Sequence, residues 1–415
     1  MDTYKGVRDF YPEDERVQKY IFSVMEKVVE SYGYEAYNAS ILEPTELYTN
    51  KTSEEIIKEQ TYTFIDRGDR SVTLRPEMTP TVARMVAKKR RELGFPLRWY
   101  SIQNFFRYEN PQKGRLREFW QLNVDLFGTP GIEADVEIID IAYRILRAYG
   151  ATEDMFVIKV ADRNLLETAF DAANLTPLQK QTYRRLLDKK EKITAAEFKK
   201  QAGAISDTDP LTLIENRDTS ILQALESVEK TVATLTERGV GNVVFDPSIV
   251  RGFDYYTGVV FEIFDVSGEN TRSLFGGGRY DYLVEEYGGE SVPAIGFGMG
   301  DVTARDFLAT HQLLPENKSK AHVYLAPVTE HDAEHVNGVA AFLREKGVRV
   351  AVGMKHEKMN DHTKAAKKLH VPFFIAYGEN EATTGTVKIK DLITKKEDEL
   401  PLQDVARVIL ESEHA

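Results

Sequence analysis

Residues 105–127 read FFRYENPQKGRLREFWQLNVDLF, and their spacing decides the fold of the larger part of the chain. Two β-rich runs, 97–109 and 116–127, flank Asn110-Pro111-Gln112-Lys113-Gly114, which predicts an antiparallel hairpin with a charged tip. Side chains alternate across a strand. Phe105, Arg107 and Glu109 therefore share one face, as do Phe119, Gln121, Asn123 and Asp125 on the return. Aromatic, β-rich surroundings would bury that face, and buried polar groups need partners, so it reads as a ligand surface. The alternative is a solvated sheet face.

Two further polar sets lie outward from the hairpin. In Leu74-Arg75-Pro76-Glu77-Met78-Thr79-Pro80 a strand passes into a helix between stiffening prolines. Glu77 and Thr79 read there either as site residues or as a capping segment with Thr79 as cap. Residues 250–264 form a mostly apolar strand run interrupted by Arg251, Tyr255 and Tyr256. An arginine in such a strand needs an anion: a ligand, or a salt bridge to Asp246 or Asp254. Both tyrosines can line one pocket only if the strand bends, at Gly252 or Gly258. Gly276-Gly277-Gly278 matches no nucleotide-loop fingerprint and reads as a tight turn with close backbone approach.

Around these sets the spacing predicts helices over 18–31, 80–93 and 132–149, and short strands within 61–74 about the turn Arg67-Gly68-Asp69. Between 164 and 238 Leu, Ala, Lys and Glu dominate and Gly203 is the lone glycine, the character of a helical insertion. Leu314-Pro315-Glu316-Asn317-Lys318-Ser319 reads as a linker. It divides the chain into 1–318 and 319–415. The second part alternates strand and helix, which predicts a small α/β domain with a largely parallel sheet.

Composition narrows the function classes. The 415 residues contain no cysteine, which excludes disulfides, thiolate metal sites and cysteine nucleophiles and is compatible with a cytosolic protein. No apolar run is long enough for a membrane span or a signal peptide, so a cytoplasmic protein is expected. Net charge is −12, yet basic residues cluster at 84–98, 107–117 and 355–368, and an acidic protein can hold basic grooves.

Taken together, these stretches resemble the histidyl-tRNA synthetases, a family of class II aminoacyl-tRNA synthetases. Phe106-Arg107-Tyr108-Glu109 with Arg115 and Arg117-Glu118-Phe119-Trp120-Gln121 resembles motif 2 of the class. Val250-Arg251-Gly252-Phe253-Asp254-Tyr255-Tyr256-Thr257 is similar to the signature that separates the histidyl enzymes. Phe275-Gly276-Gly277-Gly278-Arg279-Tyr280-Asp281 resembles their second signature, and Lys5-Gly6-Val7-Arg8-Asp9-Phe10 their N-terminal opening. The resemblance implies an α+β fold. A class II catalytic domain, with an antiparallel sheet flanked by helices and the helical insertion, precedes an α/β anticodon-binding domain.

It also implies an activity, a histidine–tRNA ligase that uses ATP with Mg2+ to form histidyl-adenylate and then charges its tRNA. Arg107 and Arg251 would stabilise charge at the α-phosphate. Glu77, Met78, Thr79, Gln121, Asp125, Tyr255 and Tyr256 would bind L-histidine; Arg107, Glu109, Arg115 and Arg305 would bind ATP; Gln112, Lys113 and Arg115 would meet tRNA. A homodimer is expected, and the magnesium ligands are not assigned. Three residues depart from the family pattern. Asp125 stands where glutamate is usual, Met78 where glycine is frequent, and Thr303 where the ATP-binding arginine of motif 3 belongs, with Arg305 two residues on. A second class fits the same core: a non-catalytic, histidine-sensing regulatory paralogue of the synthetase.

Overall fold

The computed structural model describes residues 1–49, 60–187, 189–190, 193–250, 255–316, 318–354 and 358–412. The chain forms two compact units, Met1–Pro315 and Glu316–Ala415.

The first unit opens with α1 (Pro12–Ser31), six residues earlier than periodicity predicts. Pro12 presets the first turn, and Glu13, Asp14 and Glu15 complement its positive end, so the helix starts before its apolar stripe does. Ile21, Met25 and Val29 then form a fully buried row at four-residue spacing. Gly33, with φ at +79°, follows in the left-handed region.

Strands β1 (Glu35–Ala36), β2 (Leu42–Pro44), β3 (Tyr62–Ile65) and β4 (Ser71–Leu74) come next, then α2 (Thr79–Lys89). The hairpin follows as β5 (Leu97–Phe106) and β6 (Glu118–Phe127), ahead of α3 (Ile132–Ala148) and β7 (Phe156–Asp162). Residues 163–237 hold the insertion: α4 (Arg163–Ala172), α5 (Pro177–Leu187), α6 (Ala195–Ile205), α7 (Pro210–Glu215) and α8 (Leu222–Glu237). The Asp162 side chain caps α4 by accepting from the Asn164 and Leu165 amides. The unit closes with β8 (Val243–Phe245), β9 (Val259–Asp265), β10 (Ser273–Arg279), β11 (Ala294–Gly300) and α9 (Asp301–Thr310).

Eight strands make one sheet in the order β1-β5-β6-β11-β10-β9-β7-β8, antiparallel except for the β1–β5 and β7–β8 pairs. Strands β2, β4 and β3 form a separate antiparallel sheet. The period of two sorts the large sheet into an apolar and a polar face. Leu122, Val124 and Leu126 of β6 and Ile295, Phe297 and Met299 of β11 join the core that also holds the buried residues of α1 and α3. The intervening residues of both strands point the other way. Gly276, Gly277 and Gly278 lie inside β10 rather than in the expected turn. Their close approach holds nonetheless: a Cβ on Gly276 would come 2.2 Å from the Phe261 carbonyl oxygen, and one on Gly277 2.0 Å from that of Gly296.

In the second unit β12 (Val323–Pro327), β13 (Val350–Val352) and β14 (Phe373–Tyr377) pair in parallel in the order β13-β12-β14. Strands β15 (Thr386–Asp391) and β16 (Glu397–Pro401) extend the sheet antiparallel, so it is mixed rather than largely parallel. Glu-Asp-Glu-Leu-Pro in β16 is charged and mostly exposed; without apolar alternation it leaves no strand signal. Helices α10 (Ala333–Glu345), α11 (Met359–Lys368), α12 (Glu379–Thr384) and α13 (Leu402–Leu410) complete the unit. Among the described residues no helix is long and apolar enough to cross a membrane.

Candidate active site

A cavity of about 1130 Å³ in the first unit opens over the polar face of the large sheet. Its floor is built by strand register. Gln121, Asn123 and Asp125 of β6 pair with Gly300, Gly298 and Gly296 of β11, and these glycines leave room for the polar side chains beside them. A Cβ on Gly296 would lie 2.5 Å from Asp125 Oδ1, and one on Gly298 2.3 Å from Gln121 Nε2. Gln121 Nε2 in turn donates to Asn123 Oδ1 at 3.0 Å. The alternation Gly296-x-Gly298-x-Gly300 was a readable signal for this floor, since a strand's period of two puts all three on one face.

Asp125 is the most perturbed of these groups. Tyr280 donates its hydroxyl to Oδ1, and Tyr37 donates to Oδ2 at 3.5 Å. Burial pushes the carboxyl up to about 7, and the two tyrosine hydrogen bonds act in the opposite direction. Tyr37 did not stand out in the sequence, and Tyr280 did so only as part of the stretch 275–281, with no role of its own. Each follows a strand by one residue, and nothing local marks it as a partner of Asp125.

The junction of β4 and α2 supplies Glu77 and Thr79. Thr79 is the first residue of α2, Met78 occupies the cap position, and no side chain caps this end, so the capping alternative for Thr79 does not hold. Glu77 accepts the Tyr255 hydroxyl at 2.9 Å. Tyr255 and Tyr256 both line the cavity, with ring centroids 5.0 Å apart. They precede β9, which begins at Val259, so irregular chain rather than a bulged strand lets both face one pocket.

Beyond β5, Arg107 donates from Nε to the Pro76 carbonyl oxygen at 2.9 Å, and its guanidinium lies 5.3 Å from the Phe119 ring centroid. Glu109 pairs with the half-exposed Arg115 at 3.0 Å. Across the hairpin loop, Lys113 donates to the Glu269 carbonyl oxygen at 3.1 Å, and Arg272 donates to Gln112 Oε1 at 3.0 Å.

The cavity thus gathers Glu77, Thr79, Arg107, Glu109, Gln112, Lys113, Arg115, Gln121, Asp125, Tyr255 and Tyr256 on one wall system. Two expected residues stay apart from it. Met78 is fully buried and does not line the cavity. Arg305 also lies off the wall: its guanidinium pairs with Asp14 of α1 at 2.7 Å. Helix geometry explains this, because position 305 is about 200° round α9 from 303, a little over half a turn. Thr303 itself lines the cavity and donates to the Leu274 carbonyl oxygen at 2.6 Å. Arg251, with Gly252 and Asp254, lies outside the described residues. Glu262 and Arg272 line the cavity without having been singled out from sequence, and Tyr280, read there only as part of the stretch 275–281, lines it too.

A solved histidyl-tRNA synthetase from Nostoc sp. PCC 7120 superposes with a TM-score of 0.85 at 22% identity, covering 99% of this chain and 98% of that one. The fold is therefore that of a class II synthetase catalytic domain followed by an anticodon-binding domain. The family model for histidyl-tRNA synthetase matches residues 6–301, and the anticodon binding domain model matches residues 322–412. Curated relatives named histidine–tRNA ligase include one from Leptospira biflexa, 43% identical over 95% of this chain and 94% of its own length. Another, from Opitutus terrae, is 36% identical over 99% and 98%. The chain belongs to the histidyl-tRNA synthetase family.

Proposed function

We propose that this chain activates L-histidine with ATP and transfers it to the 3' end of its tRNA, and that the cavity over the large sheet performs both steps. The observation that supports it best is the convergence of Glu77, Thr79, Arg107, Gln121, Asp125, Tyr255 and Tyr256, from four separate segments, on one cavity inside a synthetase fold.

The chemistry suits these groups. Activation begins with attack of an ionised carboxylate on the α-phosphorus, which needs no general base but does need positive charge where the oxyanion develops. Arg107, tied to the Pro76 carbonyl oxygen, and Arg251 take that part. The imidazole offers one donor and one acceptor nitrogen. Asp125 accepts from the first and the Tyr256 hydroxyl donates to the second, while Glu77, Thr79 and Gln121 hold the α-amino group. A pocket of buried polar groups rejects isosteres because they leave those groups unpaired. ATP enters as its magnesium complex. Glu109 and Glu262 on the wall are oxygen donors of the kind that ion takes, alongside phosphate and water.

The second unit, with its anticodon-binding match, would hold the far end of the tRNA, and loop 110–115 its acceptor end. A homodimer and a cytoplasmic location complete the proposal; sedimentation of the purified chain checks the first. ATP–pyrophosphate exchange with histidine tests the activity directly. Exchange should occur and should collapse in Arg251→Ala while histidine binding falls much less. Absence of exchange in the wild type would refute the enzyme in favour of a histidine-sensing paralogue. Neutralising Lys364, Lys367 and Lys368 on α11 should weaken tRNA binding and flatten its salt dependence without altering exchange.

A further inference from the structure

Motif 3 is where the resemblance lacks a cation, and the structure closes that position. The Thr303 hydroxyl is engaged by the carbonyl oxygens of Leu274, at 2.6 Å, and Gly300, at 3.2 Å. Gly114 at the hairpin tip sits against its methyl group, since a Cβ there would be 3.7 Å from Thr303 Cγ2. Asp301 is taken by Arg8 at 2.7 Å, and Arg305 faces Asp14. The first turn of α9 therefore brings no positive charge to the cavity.

Arg107, Lys113, Arg115, Lys190 and Arg272 do line it. Their commitments differ. Arg115 is paired with Glu109, and the charge of Lys113 acts on Asp306. Arg272 donates to a neutral amide oxygen, that of Gln112, and among the described residues it forms no ion pair. It stands two residues before Leu274, whose carbonyl oxygen Thr303 holds. The missing arginine's position, the hairpin tip and the Arg272 backbone thus meet within one small region. A guanidinium has several N–H groups in a rigid fork, so one bond to Gln112 leaves others for phosphate oxygens.

We propose that Arg272 is a substrate-binding residue that grips the β- and γ-phosphates of ATP, replacing from the β9–β10 loop the cation that Thr303 does not supply. This rests on the histidine–tRNA ligase function proposed above. In the step it serves, a histidine carboxylate oxygen bonds to the α-phosphorus. The bond from that phosphorus to the αβ-bridging oxygen breaks, and the oxygen leaves with the electron pair as magnesium pyrophosphate. No proton or electron need be supplied. Gln112, itself on the cavity wall, holds one side of the guanidinium there.

The test is ATP–pyrophosphate exchange on the full chain, with the wild type measured first. Arg272→Ala should raise the KM for ATP about tenfold, as loss of a charge-assisted hydrogen bond does, and leave the KM for histidine within about twofold. Arg272→Lys should recover part of the loss, since it keeps the charge but not the fork. Arg272 is exposed, so the substitution should leave the circular dichroism spectrum and melting temperature unchanged. A wild type without exchange refutes the ligase function. A wild type that exchanges, beside an Arg272→Ala variant with an unaltered KM for ATP, overturns the role of Arg272 alone. A defect confined to tRNA charging overturns it too, because Arg272 would then serve the tRNA.

Discussion

Tyr280 donates its hydroxyl to Asp125 Oδ1 across 155 residues of sequence, and both side chains are buried. The tyrosine anchors a carboxylate that burial disfavours. Its own ionisation is pushed well above the ordinary tyrosine value by the same burial and by Asp125, so it stays a donor across the working pH range.

The first expectation concerns acid stability. Burial raises Asp125 from the ordinary carboxylate range to about 7, so the folded state holds the proton more tightly than the unfolded chain. Its contribution to stability is present in acid and is lost as the pH rises from about 4 to about 7. The ceiling is on the order of 4 kcal/mol, at about 1.4 kcal/mol per pH unit. Asp125→Asn removes the titration, so its melting temperature relative to wild type should climb between pH 5 and pH 7. A pH-independent difference in thermal melts would refute this. The same variant should bind histidine poorly, because the amide can rotate an N–H toward the ligand's donor.

Gly298→Ala tests the floor. The three atoms nearest the added methyl group all belong to the Gln121 side chain, with Nε2 at 2.3 Å. That side chain can swing away, so the fold should survive with a melting temperature within a few degrees of wild type. Histidine affinity should fall about tenfold or more as Gln121 leaves the α-amino position; calorimetric titration reads this directly.

Arg279 offers a contrast between structure and catalysis. It is buried, donates to Asp135 Oδ1 at 2.9 and 2.6 Å, and also reaches the Thr129 and Gly131 carbonyl oxygens. Removing one partner of a buried pair strands the other charge, which costs about 3–5 kcal/mol. Arg279→Ala should lower the urea midpoint accordingly, without a specific effect on the KM for either substrate in whatever fraction remains folded.

Arg305→Ala should do little. Its bridge to Asp14 is more than one third exposed on each side, and such pairs contribute about 0–1 kcal/mol. The KM for ATP should stay within about twofold of wild type in the exchange assay. A large increase would mean that Arg305 leaves Asp14 for the nucleotide.

The sequence by itself determined the family and those elements whose pattern is local. The apolar rows of α1 and α3, the β5–β6 hairpin and the break near Pro315 follow from periods of 3.6 and two and from proline and glycine chemistry, all of which act within a few residues. Motif spacing then pointed to the polar faces carrying Arg107, Gln121 and Asp125. What needed tertiary structure was each pairing between distant segments. Glycines 296 and 298 became a floor only through their register with Asp125 and Asn123. Tyr37 and Tyr280 became partners of Asp125 through the sheet order, Arg305 met Asp14 through the packing of α9 against α1, and Arg272 met Gln112 only when two loops came together. The physical reason is common to all four. Local propensity sets which way a side chain leaves its own backbone, whereas the atom it meets depends on packing between segments, and no periodicity of the chain encodes that.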